Sequence, residues 1–271
     1  TPEFLYKYSK SPSLKNLICV TNNQADHLRH NPIFSKIIVL HNFIDLNFYK
    51  PDGVVKDINQ VVYLGAITEN KGLQFLLAAW PQVLSANPQA KLIIIGSAKL
   101  YSNNETLGIH GLGSQDFETK YIYPIYGEDK NALSNYNIYP KGVLGPIEIQ
   151  KYLTKSLVGV VNPSYNYSFS AETFCVSAIE IQACRTAIIG GNVGGLRETI
   201  IDKKTGYRIN SEKDMEKRIN YLLSNADKAK EMGEKGADYA KEFDVKKIVE
   251  DWELFFLNNE TPKKLKTNKL F

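Results

Sequence analysis

The sequence predicts an α/β protein built on a doubly wound parallel sheet. Three observations carry this expectation. Short, almost continuously apolar β-rich runs recur along the chain, stretches with apolar residues at helical spacing separate them, and glycine closes several of the runs. Strands covered on both faces read as unbroken apolar runs, whereas half-solvated strands alternate.

Leu17–Thr21 (LICVT) reads as a strand, Asn22–His30 as a polar helix and Lys36–Leu40 (KIIVL) as a second strand, making one β-α-β unit. The following HNFIDLNFYKPDG ends in Pro51, Asp52 and Gly53 and reads as a connection between domains. Gln60–Leu64 (QVVYL) is a buried strand, and Leu73, Leu76, Leu77, Trp80, Val83 and Leu84 fall at helical spacing behind it. Pro81 lies inside that pattern and is expected to kink the helix, because it has no N–H to donate to Leu77. Leu92–Ile95 is the next strand, closed by Gly96. The alternation continues through strand Gly142–Leu144, helix Ile147–Thr154, strand Leu157–Val161, helix Val176–Ala183 and strand Ala187–Ile189. The C-terminal third is expected to be helical: Glu212–Ser224, with Ser211 and Asp214 spaced as a capping box, then Asp227–Glu242 and Val245–Leu257.

Ser97–Asn137 breaks the rhythm, far exceeding the usual connection of roughly 4 to 6 residues. It leaves the carboxyl end of a central strand, the edge where doubly wound sheets bind ligands. Two readings stay open: a lid offering Tyr101, Tyr121, Tyr123 and Tyr126 to a ligand, or an insertion packed on the outer helices.

Thirty-three basic against 29 acidic residues leave a net charge of +4. Four lysines and no acid fall in Pro262–Phe271, so the rest nets to zero, which excludes a general polyanion binder; no nucleic-acid partner is expected. The tail is either simply solvated or a peripheral contact with an anionic membrane surface, at the inner face. No apolar run approaches the roughly 18 residues that cross a bilayer. Cys19, Cys175 and Cys184 form no C-x-x-C pair, so a reducing, cytoplasmic setting is expected. His27, His30, His41 and His110 share no metal spacing, and no metal site is expected. The chain opens on Thr1 with no charged-then-apolar leader and is expected to be a fragment or a processed product.

Three constellations carry chemistry. In SAETFCVSAIEIQAC, Glu172 precedes a helix start and Glu180 lies about two turns into the helix. The backbone N–H groups near Phe174, Cys175 and Val176 would face out of that N-terminus, a place for a phosphate. Two carboxylates around a phosphate site suit a ligand with hydroxyls at both ends, such as a nucleotide sugar; a capping Glu and a surface Glu would look the same. In GAITENKG, Gly65–Gly72, a glycine at the strand end admits a ligand to the backbone, and Lys71 is either a cation for a diphosphate or a solvated lysine. GGNVGGLRET, Gly190–Thr199, is a tight loop and not a dinucleotide fingerprint.

In this order and at these distances, the three pieces resemble the retaining glycosyltransferases of the GT-B fold, the group-one (family-four) class, from about Leu17 to Leu257. The Glu, seven residues, Glu motif is matched by Glu172 and Glu180; G-R-x-x-x-x-K-G by Gly65, Lys71 and Gly72; V-G-G-x-x-E by Val193, Gly194, Gly195 and Glu198. N-G-V-D-x-x-x-F-x-P is matched by Asn42, Ile44, Asp45, Tyr49 and Pro51, and the preceding P-S by Pro163 and Ser164. The resemblance implies the Rossmann-like C-terminal, donor-binding half of such an enzyme with a remnant of the N-terminal domain. Residues 1–45 would be the last β-α-β unit of the acceptor domain, 46–56 the linker, 57–244 the donor domain with insertion 97–137, and 245–271 the crossing helix and basic tail.

It further implies that Lys71 contacts the donor diphosphate, Glu172 the hydroxyls of the transferred sugar, Glu180 the ribose, and the backbone of Phe174–Val176 the phosphates, with Gly65, Thr173 and Ser164 lining the site. Partners would be a nucleotide sugar and a saccharide or lipid-linked acceptor, in surface polysaccharide assembly. No cofactor is implied: no D-x-D occurs, and the class stabilises its leaving group by helix dipole and cations. Three positions depart from the class: Ala66 replaces its diphosphate-binding arginine, and Thr173 and Cys175 replace the glycines flanking Phe174. Arg197, Lys99 and Lys120 are candidates to supply the missing cation. With most of the acceptor domain absent, the chain alone is not expected to transfer sugar efficiently. The rivals are a non-catalytic nucleotide- or partner-binding GT-B half and a GT-B sugar epimerase.

Overall fold

The computed structural model describes residues 2–51, 53–100, 104–165 and 172–258; Tyr101 and the lysine-rich tail lie outside the described residues. An N-terminal unit comprises helix α1 (Pro2–Ser9), strand β1 (Leu17–Cys19), helix α2 (Asn22–Asp26) and strand β2 (Ile37–Val39), with β1 and β2 paired in parallel from Leu17 opposite Ile37. The main sheet has six strands, β3 (Asp57–Leu64), β4 (Lys91–Ile95), β5 (Ile138–Gly142), β6 (Ser156–Val161), β7 (Ala187–Gly191) and β8 (Gly206–Ile209), all parallel in the order β5-β4-β3-β6-β7-β8. The chain winds outward from β3 through β4 to β5, then returns to start β6 on the other side of β3. That reversal leaves a crevice between the carboxyl ends of β3 and β6, where doubly wound sheets take ligands.

Strand periodicity divides the core. Val61 and Tyr63 face one way and Val62 and Leu64 the other, all buried, as the period of two requires. One face packs helix α3 (Leu73–Ala86), the short α4 (Gln115–Tyr121) and α5 (Tyr123–Tyr126), α9 (Glu212–Ser224) and α10 (Ala226–Ala240). The other face takes α6 (Pro146–Lys155), α7 (Val176–Ala183) and α8 (Leu196–Thr199). Helix α11 (Val245–Asn258) follows α10, and its start is tied to the chain just before the linker: Ile44 N–H donates to Phe243 O at 3.0 Å and Val245 N–H to Ile44 O at 2.9 Å. No helix among the described residues is long and apolar enough to cross a membrane.

The sequence reading is corrected at both sheet edges. The strand expected at Gly142–Leu144 lies at Ile138–Gly142, because Gly142 ends it with φ +66° and Val143 is exposed; Pro140 within it is tolerated on an edge strand. The opposite edge strand, β8, has no counterpart in the sequence reading and lies just ahead of the C-terminal helices, which begin at Glu212 as expected. Pro81 does not break α3, which runs through it. The carbonyl it leaves without a partner, Leu77 O, accepts the hydroxyl of Tyr126 at 2.5 Å.

That bond ties the 97–137 segment to α3. Phe117, Ile122 and Tyr126 join the core over α3, and Trp80 Nε1 donates to Tyr136 O at 2.8 Å. Glu118, fully buried, accepts backbone N–H groups of His110 and Leu112, each at 2.8 Å, and Gly113 at 3.1 Å. Tyr123 Oη accepts from Ile109 N–H at 3.1 Å. The described part is therefore an insertion packed on α3, with the hydroxyl of Tyr123 engaged within it and that of Tyr126 engaged by Leu77 O of α3.

Candidate functional site

The loops after β3 and β6 meet at the crevice. Gly72, with φ +74°, ends the loop after β3 so close to the segment after β6 that a Cβ there would lie 2.5 Å from Ser164 N. This brings Lys71 beside Glu172, 101 residues away in sequence: Lys71 Nζ donates to Glu172 Oε2 at 2.5 Å, with both side chains largely buried. Lys71 and Glu172, expected from the sequence to serve one site, are thus neighbours. Gly65 begins the same loop at the end of β3, its N–H bonded to Ile95 O at 3.1 Å.

Beyond Glu172 the chain enters α7. Phe174 is buried against the rings of His41 and Phe243, 5.9 and 5.4 Å between centroids. Cys175 sits at the helix N-cap with φ +71°, a left-handed conformation that suits glycine, and burial pushes its thiol up. Val176 is the first helical residue. Glu180 lies along the helix, half-buried; burial pushes its carboxyl up, and a hydrogen bond from the linker residue Tyr49 opposes that rise.

Thr173 has an exposed side chain, and its carbonyl accepts Thr21 Oγ1 at 2.9 Å. On the opposite side of the same segment, Gly195 N–H donates to Glu172 O at 2.6 Å. Glu198, one turn along α8, reaches across to the N-terminal unit and accepts Asn22 N–H and Asn22 Nδ2, each at 2.9 Å, and Asn23 N–H at 2.5 Å. His41 Nε2 stands 3.5 Å from Glu198 Oε2. Burial alone would push the Glu198 carboxyl up, but the nearby His41 ring and the hydrogen bonds from Asn23 and Asn22 outweigh it and hold it below its ordinary value. Sequence reading matched Glu198 to a motif without a role, because its partners stand some 175 positions away.

The candidate replacement cations are differently placed. Lys120 pairs with Glu69, in the loop after β3, at 2.9 Å. Arg197 folds onto the glycine loop, donating from Nε and Nη2 to Asn192 O at 3.3 and 3.2 Å. Lys99 is exposed in a 3-10 turn after β4, and Ala66 itself is buried. Among the described residues, no group of three or more His, Cys, Asp or Glu side chains is placed to hold a metal ion.

The chain is similar over 91% of its length to an uncharacterized glycosyltransferase of Methanocaldococcus jannaschii, at 26% identity, and over 84% to the D-inositol 3-phosphate glycosyltransferase of Segniliparus rotundus, at 27%. It spans 60% and 48% of the lengths of these relatives. Among solved structures it resembles a glycosyltransferase of Rickettsia africae, with a TM-score of 0.71 and 20% identity over 96% of this chain and 69% of that one. It also resembles an Anabaena protein solved in complex with UDP-glucose, with a TM-score of 0.70 and 16% identity over 91% of this chain and 64% of that one. Residues 48–239 match the family described as glycosyl transferases group 1. That match covers most of the chain, including the whole crevice between β3 and β6, and the chain therefore belongs to the group 1 glycosyl transferases, of the GT-B fold.

Proposed function

We propose that this chain is the donor-binding part of a retaining hexosyltransferase that moves a hexose from a nucleotide sugar to a saccharide or lipid-linked acceptor in surface polysaccharide assembly. The observation that carries the reading is the convergence of Lys71 and Glu172 beside the start of α7, in the crevice where the strand order reverses. The ammonium and the helix N-terminus favour a diphosphate, and the carboxylate suits sugar hydroxyls on its far side. The Anabaena structure, similar in fold, is a complex with UDP-glucose, which makes the uridine nucleotide the first donor to test.

In this reading, the bond between the anomeric carbon and the diphosphate oxygen breaks while the acceptor oxygen bonds to that carbon on the same face. The acceptor proton passes to the departing diphosphate. Lys71 and the α7 dipole stabilise the growing negative charge on the diphosphate, and no side-chain nucleophile is needed. Glu172 orients the sugar, Glu180 holds the ribose, and Gly65, Ser164, Thr173 and the Phe174–Val176 backbone line the donor.

Calorimetry with UDP and UDP-glucose tests this. Lys71→Ala should weaken UDP binding by about 1–2 kcal/mol. Glu172→Gln should spare UDP and weaken UDP-glucose. Unchanged UDP affinity in the Lys71 variant removes that residue from the site. A second reading, a GT-B half that binds a nucleotide sugar or a partner without chemistry, is favoured by Ala66 standing where the class has an arginine. Binding of UDP-glucose with no transfer by the whole protein would select it.

A further inference from the structure

The segment that carries Glu172 is held from two sides, and Glu198 joins the two holders. Gly195 N–H grips Glu172 O at 2.6 Å, so tightly packed that a Cβ on Gly195 would lie 2.3 Å from Thr173 O. Thr21 Oγ1, which also caps α2, grips the next carbonyl, Thr173 O, at 2.9 Å. One grip belongs to the glycine loop after β7 and the other to the N-terminal unit. Glu198 stands three residues beyond Gly195, and its carboxylate binds the amides of Asn22 and Asn23, directly beyond Thr21. Its own carbonyl accepts Tyr239 Oη of α10 at 2.6 Å, which anchors α8 to α10. His41 completes the junction between Glu198 and the ring of Phe174.

We infer that Glu198 is a positioning residue for the donor site, coupling the N-terminal unit to the Glu172–Phe174 segment so that Glu172 and the start of α7 stay aligned with Lys71. Its consequence for ligands rests on the donor reading above; the coupling itself does not. The chemistry is specific to a carboxylate. Three N–H donors converge on Glu198, and only an acceptor-only group satisfies them all. A carboxamide turns an NH2 toward at least one of them.

The test combines hydrogen–deuterium exchange with calorimetry, using UDP and UDP-glucose, on the full chain as wild type, Glu198→Gln, Thr21→Val and Thr21→Ser. Glu198→Gln and Thr21→Val should each speed amide exchange across 172–178 by about tenfold, what one lost hydrogen bond to a buried acceptor is worth. Exchange in α9 should not move, and Thr21→Ser, which keeps the hydroxyl, should match wild type. Both disruptive variants should weaken UDP-glucose more than UDP. Thr21→Val deletes a single hydroxyl and carries the test if Glu198→Gln does not fold. Unchanged exchange across 172–178 overturns the coupling. Faster exchange with an unaltered ratio of UDP-glucose to UDP affinity overturns the positioning role. If wild type binds neither nucleotide, the donor reading fails, and the exchange measurement alone decides the coupling.

Discussion

Cys175 holds a backbone conformation that costs a side-chain-bearing residue about 1–2 kcal/mol relative to glycine. It does so at the mouth of α7, next to Glu172, at a position where the related class carries glycine. The strain opposes the ordinary rule that glycine is less stable than alanine by roughly 0.5–1 kcal/mol in ordered structure. Cys175→Gly is therefore expected to be at least as stable as Cys175→Ala, with the order of their urea midpoints as the measurement. An alanine variant clearly more stable than the glycine one would mean that packing of the Cβ outweighs the backbone term. Lys71 and Glu172 were individually legible in the sequence as a cation after a strand and an acid before a helix. Their mutual contact was not, because it depends on Gly72 bringing two distant loops within van der Waals reach.

Helix α3 shows how an element can depend on a distant segment. Pro81 has no N–H for Leu77 O, and the insertion supplies a hydroxyl to the one carbonyl that proline strands. Tyr126→Phe keeps the ring and removes that donor, leaving Leu77 O unpaired in a buried setting. It should cost about 1–3 kcal/mol in global stability while leaving UDP affinity unchanged, read by denaturant unfolding and calorimetry on the same preparation. A drop in UDP affinity would reinstate the segment as a lid. A second long-range satisfaction occurs at the opposite end of the sheet. Lys56, at the end of the linker, donates to the carbonyls of Thr154, Ser156 and Cys184 and to Thr186 Oγ1 at 2.8–3.4 Å, closing the C-terminal ends of α6 and α7. The strand displaced in the sequence reading, β5, and the one it did not include, β8, are the two edges, where burial is one-sided and proline or arginine is admitted, so the unbroken apolar signature is lost.

At the scale of the molecule, the N-terminal unit and the donor domain share a junction built on one low-pKa carboxylate. Because Glu198 is held below its ordinary value of 4.5, folding favours its ionised form. Its contribution is complete above that value and is lost as pH falls below 4.5 toward the depressed folded value. The stability difference between wild type and Glu198→Gln should therefore shrink on acidification through that window. A difference that stays constant between neutral pH and pH 3 would show that the carboxylate contributes nothing through its charge. Glu180, raised by burial, has the opposite sense and cancels in the comparison, since both proteins carry it.

The doubly wound α/β class, the central strands, the principal helices and the ordered motifs that point to a GT-B glycosyltransferase were legible in the residues alone. These rest on local signals: apolar runs, helical spacing and glycine at strand ends act over a few residues and need no knowledge of distant partners. The tertiary structure alone decided that the 97–137 segment packs on α3, that Pro81 is tolerated, and that Lys71 and Glu172 touch. It also placed Glu198 between the N-terminal unit and the candidate donor site. Each of these depends on a hydrogen bond or close approach between residues dozens to more than a hundred positions apart, and such pairings are set by how the sheet and its loops assemble, which no local pattern of residues encodes.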